Sequence, residues 1–183
     1  MHAIVSLLDP ASYEQVQAIW KKLEDECDLR GNRVTPYPHI SWQVAEDYRT
    51  DLLAKRLARL AARSTPILLH CSGLGLFTGA EPVLFINTIK DKTLIRYHDR
   101  VIHAAKNVVV GPSDYYQPQL WMPHITLAHR GLNAEALACA LRDLAFQDFN
   151  WEIRLDNLAL VCQEGEEIGQ LKVRWNFPPE EVA

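Results

Sequence analysis

Pro123-His124-Ile125-Thr126-Leu127 repeats, with small changes, an earlier stretch, Pro38-His39-Ile40-Ser41-Trp42. Two copies of one short pattern half a chain apart predict one site built twice. Side chains of an extended strand alternate between faces, so His39 and Ser41 share one face while Ile40, Trp42 and Val44 share the other. The same parity puts His124 and Thr126 together, backed by Ile125 and Leu127. Each pattern thus presents an imidazole beside a hydroxyl on a strand with an apolar reverse. A proline holds the residue before it extended and cannot donate to a ladder, which places each histidine near the beginning of its strand.

Around these motifs the chain alternates strand and helix. Ala3 to Leu8 has strand length and Asp9-Pro10 stops it. Over Ser12 to Leu29, Val16, Ile19, Trp20 and Leu23 recur at helical spacing, and Gly31-Asn32 ends the helix. Thr50 to Arg63 predicts a second helix capped by Thr50, with Leu52, Leu53, Leu57 and Leu60 inward. Ile67 to Cys71 and Val83 to Ile89 read as strands of a hairpin, joined through a bulged or turning connection at Gly73 to Gly79. A third helix covers Asp91 to Lys106, and a long irregular segment, Asn107 to Met122, delivers the second motif. A fourth helix, 133–146, is capped by Asn133. Two final strands, Trp151 to Cys162 and Gly169 to Phe177, flank a charged turn at Gln163 to Glu167, and Asp156-Asn157 bends the first of them. The order predicts an α+β fold: two pseudo-symmetric lobes, each an antiparallel sheet with flanking helices, around a central cleft lined by the two motif strands.

Composition narrows the function. A chain of 183 residues with 48% hydrophobic and 23% charged residues suits a soluble globular protein, read as one domain over 1–183. The balance of 19 Lys and Arg against 23 Asp and Glu, a net charge of −4, excludes the basic field that holds long nucleic acid. It leaves a single or terminal phosphate as a ligand. The apolar start, Met1 to Leu8, is too short for a signal peptide or a membrane span, so a cytoplasmic protein without a membrane partner is expected. Cys27, Cys71, Cys139 and Cys162 are widely spaced, which predicts reduced, buried thiols. No partner-binding stripe stands out, and the chain reads as a monomer.

Histidine titrates near pH 6.5, so of two copies one can accept a proton while the other donates one. That is what acid–base displacement on opposite sides of one phosphorus requires. Ser41 and Thr126 can donate to the non-bridging oxygens. His-x-Ser and His-x-Thr lack the closely spaced His, Cys or carboxylate partners of a zinc or iron site, so no metal is expected. His2, His70, His98 and His103 read as surface or helix-packing residues. Tyr37, Tyr115, Tyr116 and Trp121, in the loops before the motifs, either stack a nucleobase or pin their loops to the core.

The paired His-hydrophobic-Ser/Thr-hydrophobic motifs resemble those of the 2H phosphoesterase superfamily, which includes the 2′-5′ RNA ligases and cyclic nucleotide phosphodiesterases. The resemblance spans essentially the whole chain. It implies His39 and His124 as catalytic histidines, Ser41 and Thr126 as phosphate-binding hydroxyls, no cofactor, and 2′,3′-cyclic or 2′-5′ phosphodiesters of nucleotides or RNA ends as substrates. Two departures stand out: bulky Trp42 in the first motif, and His129 followed by Arg130 where ligase-like members carry an arginine. An unbroken strand puts Arg130 on the face of His124, and a bulge favours His129. Two other readings are a non-catalytic nucleotide or RNA-end binding module, and a phosphoesterase for a phosphorylated metabolite other than RNA.

Overall fold

A computed structural model describes residues 1–29, 36–163 and 169–179. Gly31-Asn32 and nearly all of the charged turn after Gln163 lie outside the described residues. The elements run β1 (His2–Leu7), α1 (Pro10–Cys27), β2 (His39–Tyr48), α2 (Thr50–Ala61), β3 (Ile67–Phe77), β4 (Val83–Thr88), α3 (Lys92–Ala105), β5 (Val109–Pro112), β6 (His124–Ala128), α4 (Ala134–Leu144), β7 (Glu152–Leu155), β8 (Asn157–Cys162) and β9 (Gln170–Asn176). They form two antiparallel sheets, ordered β5-β2-β1-β8-β9 and β6-β4-β3-β7. This is the α+β arrangement that the repeated motifs predict, with one motif strand in each sheet.

The helices cross over between the sheets. α1 leaves the first sheet but packs beside α4 and against β6 of the second, whereas α2 and α3 pack together and against strands of the first. Val16, Ile19, Trp20 and Leu23 are the buried stripe of α1, as their spacing requires. Asp9 caps α1 by accepting from the Ser12 amide at 3.0 Å, and Asn133 caps α4 through the Ala136 amide at 2.8 Å. Ile4, Trp42, Leu57, Ile86, Val101, Ile125, Leu144 and Leu160 all belong to one connected core drawn from both sheets.

Several expectations need correction. Trp151 to Cys162 is not one bent strand: β7 pairs with β3 in the second sheet and β8 with β1 and β9 in the first, so the bend at Asp156 joins the sheets. Gly73 to Phe77 is not a connection. It continues β3 beyond a bulge at which Gly73 takes φ +71°, and Leu74 to Phe77 pair with β4. The irregular segment 107–122 contains β5 and a 3-10 turn at Asp114–Tyr116. Thr50 does not cap α2; its hydroxyl donates to the Tyr48 carbonyl at 3.2 Å.

The thiols depart furthest from expectation. Cys27 of α1 and Cys139 of α4 form a disulfide, with Cα atoms 5.7 Å apart, while Cys71 and Cys162 are buried thiols. The helices also share an ion pair, Lys22 with Asp143 at 2.5 Å. Their contact joins residues 112 apart in sequence, a distance at which local pattern is silent. Among the described residues no helix is long and apolar enough to cross a membrane.

Candidate active site

Both motif strands show the alternation read from sequence up to the hydroxyl, and both break it immediately afterwards. In β2, His39 and Ser41 are half-buried while Ile40 and Trp42 are buried; in β6, His124 and Thr126 are half-buried while Ile125 and Leu127 are buried. Opposite β2, Val5 pairs with Ser41 and Ile4 with Gln43, so Trp42 is skipped. Opposite β6, Phe85 pairs with Thr126 and Leu84 with Ala128, so Leu127 is skipped. Each hydroxyl residue is therefore followed by a bulge. Beyond it parity inverts, and Val44 pairs with Ala3 instead of sharing the face of Trp42.

The imidazoles are held in the same way twice. Nδ1 of His39 lies 2.5 Å from the Tyr37 carbonyl, and Nδ1 of His124 lies 2.7 Å from that of Met122. In each case a proline of fixed φ stands between carbonyl and histidine. A carbonyl only accepts, so Nδ1 carries the proton and Nε2 is the basic nitrogen of both neutral rings. Burial holds both imidazoles below the ordinary histidine value, against the pull of the two carbonyls, and the charge of His124 lowers His39 further. The rings thus feel one another, although their strands belong to different sheets.

The hydroxyls and loop residues are placed unequally. Burial raises the pKa of the Tyr116 hydroxyl, and Ser41 beside it opposes that shift. Tyr115, the neighbouring stacking candidate, is 79% exposed. Arg130 lies exposed in the turn after β6, and the bulge at Leu127 removes the parity that would have aimed it with His124. His129 follows the last residue of β6 and is half-buried. It pairs with Glu81 at 4.0 Å, and its pKa is lowered by burial against the Glu81 charge.

Sequence reasoning missed most of the residues that support the motifs, although it offered Trp121 as a loop-pinning aromatic and His98 as a helix-packing residue. Phe77 meets the His124 ring edge-on at 4.9 Å, and Phe85 lies 5.1 Å from it. Asn87, directly opposite His124 on β4, donates to the Ser72 carbonyl at 3.3 Å. The Trp20 indole donates to the Thr126 carbonyl at 3.1 Å and the Trp121 indole to the Ser41 carbonyl at 3.0 Å. His98 stacks on Trp121 at 3.9 Å, and its Nε2 bonds the Trp42 carbonyl at 3.0 Å. Burial pushes His98 down to about 4, so it packs the helix as a neutral ring. A Pro-rich segment carrying a tryptophan three residues ahead of a motif histidine was the available signal; nothing local marked Trp20.

Phe85 has its place because residue 75 is glycine. A Cβ there would run into Cε2 of the Phe85 ring, and that buried ring is wedged between Phe77, 4.3 Å away, and His124. Gly75→Ala is therefore expected to cost about 1–3 kcal/mol by overpacking, read as a lower denaturation midpoint at unchanged slope, and to push Phe85 towards His124. An unchanged midpoint would show that the ring moves freely.

Among the described residues no three His, Cys, Asp or Glu side chains converge as a metal site. A cavity of about 560 Å³ lies away from the histidines, at the far end of β2, lined by Glu46, Gly111 and Asp114 among others. Its position beyond the bulge gives it no part in the motif chemistry.

Comparison with known proteins agrees with this architecture. A family model described as the 2′-5′ RNA ligase superfamily matches residues 8–167. A Bacillus cytotoxicus protein named "putative phosphoesterase" is 24% identical over 151 residues, covering 78% of this chain and 83% of its own. One of the same name from Geobacillus sp. strain WCH70 is 26% identical over 129 residues, 69% and 70% of the two chains. Among solved structures, TT0787 of Thermus thermophilus superposes with a TM-score of 0.63 at 20% identity, covering 99% of this chain and all of its own. E. coli LigT complexed with ATP superposes at 0.55 and 15% identity, covering 98% of this chain and all of its own. These two likenesses establish the fold.

Proposed function

Because the chain belongs to the 2′-5′ RNA ligase superfamily, we propose that it is a phosphoesterase that opens 2′,3′-cyclic phosphates or 2′-5′ linkages of nucleotides or RNA ends. His39 and His124 act as its acid–base pair. The observation that carries this reading is the duplicated lock of Nδ1 on the carbonyl two residues back, which makes Nε2 the working nitrogen of both rings. LigT is a complex with ATP, which supports a nucleotide as the ligand class.

In the hydrolytic direction the neutral ring takes a proton from water through Nε2 as the water oxygen bonds phosphorus. The bond from phosphorus to the departing ribose oxygen breaks, and that oxygen takes the proton of the other, charged ring. Ser41 and Thr126 donate to the non-bridging oxygens as charge builds on them. Ring and hydroxyl hydrogen bonds supply the whole of this stabilisation, so turnover is expected to persist in excess EDTA.

The proton distribution sets the pH dependence. The charge of His124 lowers His39, so protonating one ring disfavours protonating the other. Both are held below about 6.5 in the free protein, so the charged partner is lost at a lower pH than for an ordinary histidine. kcat/KM for 2′,3′-cyclic nucleotides should trace a bell with its maximum below about pH 6.5, the alkaline limb falling about tenfold per unit. Rates in EDTA from about pH 4 to about 8, with chromatographic identification of the 2′ or 3′ product, test this. A maximum above neutrality would contradict the assignment. Nucleotide binding without turnover would turn the site into a binding module.

A further inference from the structure

The two motif strands share a device that the acid–base chemistry does not use. Each hydroxyl residue stands just before the skipped residue of a bulge, Trp42 or Leu127. Each of those hydroxyl residues has a carbonyl that accepts an indole N–H, Ser41 from Trp121 and Thr126 from Trp20. The indoles are reciprocal: Trp20 precedes the first motif and serves the second, while Trp121 precedes the second and serves the first. Both rings are buried, at 5% and 1% exposure, so neither bond is a surface accident.

The position of a bulge decides which way the motif faces. Strand side chains alternate with a period of two, so a bulge that moved ahead of the histidine would turn imidazole and hydroxyl into the core. A buried carbonyl released from its ladder must also find a donor. Around Ser41 the neighbours fit this task. β5 pairs with β2 only from Ala45 onward, which leaves the motif half of β2 without a strand on that edge. Trp121 and His98 fill the gap, His98 bonding the carbonyl of Trp42 itself. Lys90 holds the Trp121 and Pro118 carbonyls at 2.9 Å and so fixes the loop that carries the indole.

We propose that Trp20 and Trp121 are reciprocal positioning residues, each indole pinning the bulge of the opposite motif and so keeping its imidazole and hydroxyl aimed at the phosphate. The part about the phosphate rests on the phosphoesterase reading above; the pinning does not. Trp121→Phe and Trp20→Phe remove the N–H and keep an aromatic ring. Amide hydrogen exchange should quicken about tenfold in residues 39–43 for Trp121→Phe and in 124–128 for Trp20→Phe, with β1 and β8 unchanged. kcat on a 2′,3′-cyclic nucleotide should fall about tenfold in each, with KM within about twofold.

Exchange that stays unchanged in the opposite motif, or quickens evenly over the whole core, overturns the pinning. Local exchange that quickens while kcat holds, with an active wild type, overturns the positioning role and leaves a structural clasp. A folded wild type without turnover overturns the phosphoesterase reading instead, and the exchange pattern alone then decides the pinning.

Discussion

His39→Ala and His124→Ala are each expected to lower turnover of a 2′,3′-cyclic nucleotide by about 10³-fold, with the double variant about as slow as the slower single. One imidazole without the other can start a displacement but not finish it, because the leaving oxygen or the attacking water lacks its proton partner. Their losses therefore overlap instead of adding. Both rings are half-buried at strand starts, and alanine at 124 also removes the ring contacts with Phe77 and Phe85, so loss of packing is read beside loss of chemistry. Initial rates beside thermal melts separate the two effects. Either single variant retaining more than about a tenth of wild-type rate, at a wild-type melt, would remove its histidine from the acid–base pair.

The second large effect is on stability. Asn157 is fully buried at the point where the chain passes from the second sheet into the first. Its side chain accepts from the Leu7 amide and donates to the Leu7 carbonyl, both at 2.9 Å, completing the ladder between β1 and β8 beyond their last backbone pair. Its own carbonyl accepts from Ser6 Oγ at 2.5 Å, and that oxygen accepts from the Trp42 indole at 2.8 Å. Asn157→Leu fills the same space and orphans the Leu7 N–H and C=O, each costing roughly 1–3 kcal/mol. A loss of about 3–5 kcal/mol in urea unfolding is expected. Because Leu7 pairs with His39, amide exchange around the first motif should quicken too. A loss below about 1 kcal/mol would mean that water or Ser6 satisfies the strand end.

Much of this was legible because it is local. The Pro-His-hydrophobic-hydroxyl repeat carries its strand parity on its face, and four amphipathic stripes carry the helices. What the sequence left unread depends on partners far along the chain. Whether Val44 shares the face of Trp42, and whether Arg130 or His129 follows His124, turns on bulges set by β1 and β4. The Cys27–Cys139 disulfide needs α1 to reach α4, and the indoles of Trp20 and Trp121 serve strands in the opposite half. The split of Trp151–Cys162 between two sheets had a visible trace at Asp156-Asn157, yet a bend and a change of sheet look alike in one dimension.

The most direct test of two imidazoles serving one phosphate is a nitrogen-15 titration of the His39 and His124 rings, with and without a nucleoside 2′-monophosphate. Both should show the proton on Nδ1, titrate as a coupled pair below about 6.5, and shift upward together when the phosphate binds. Two independent titrations at the ordinary value, or a phosphate that moves only one ring, would contradict it.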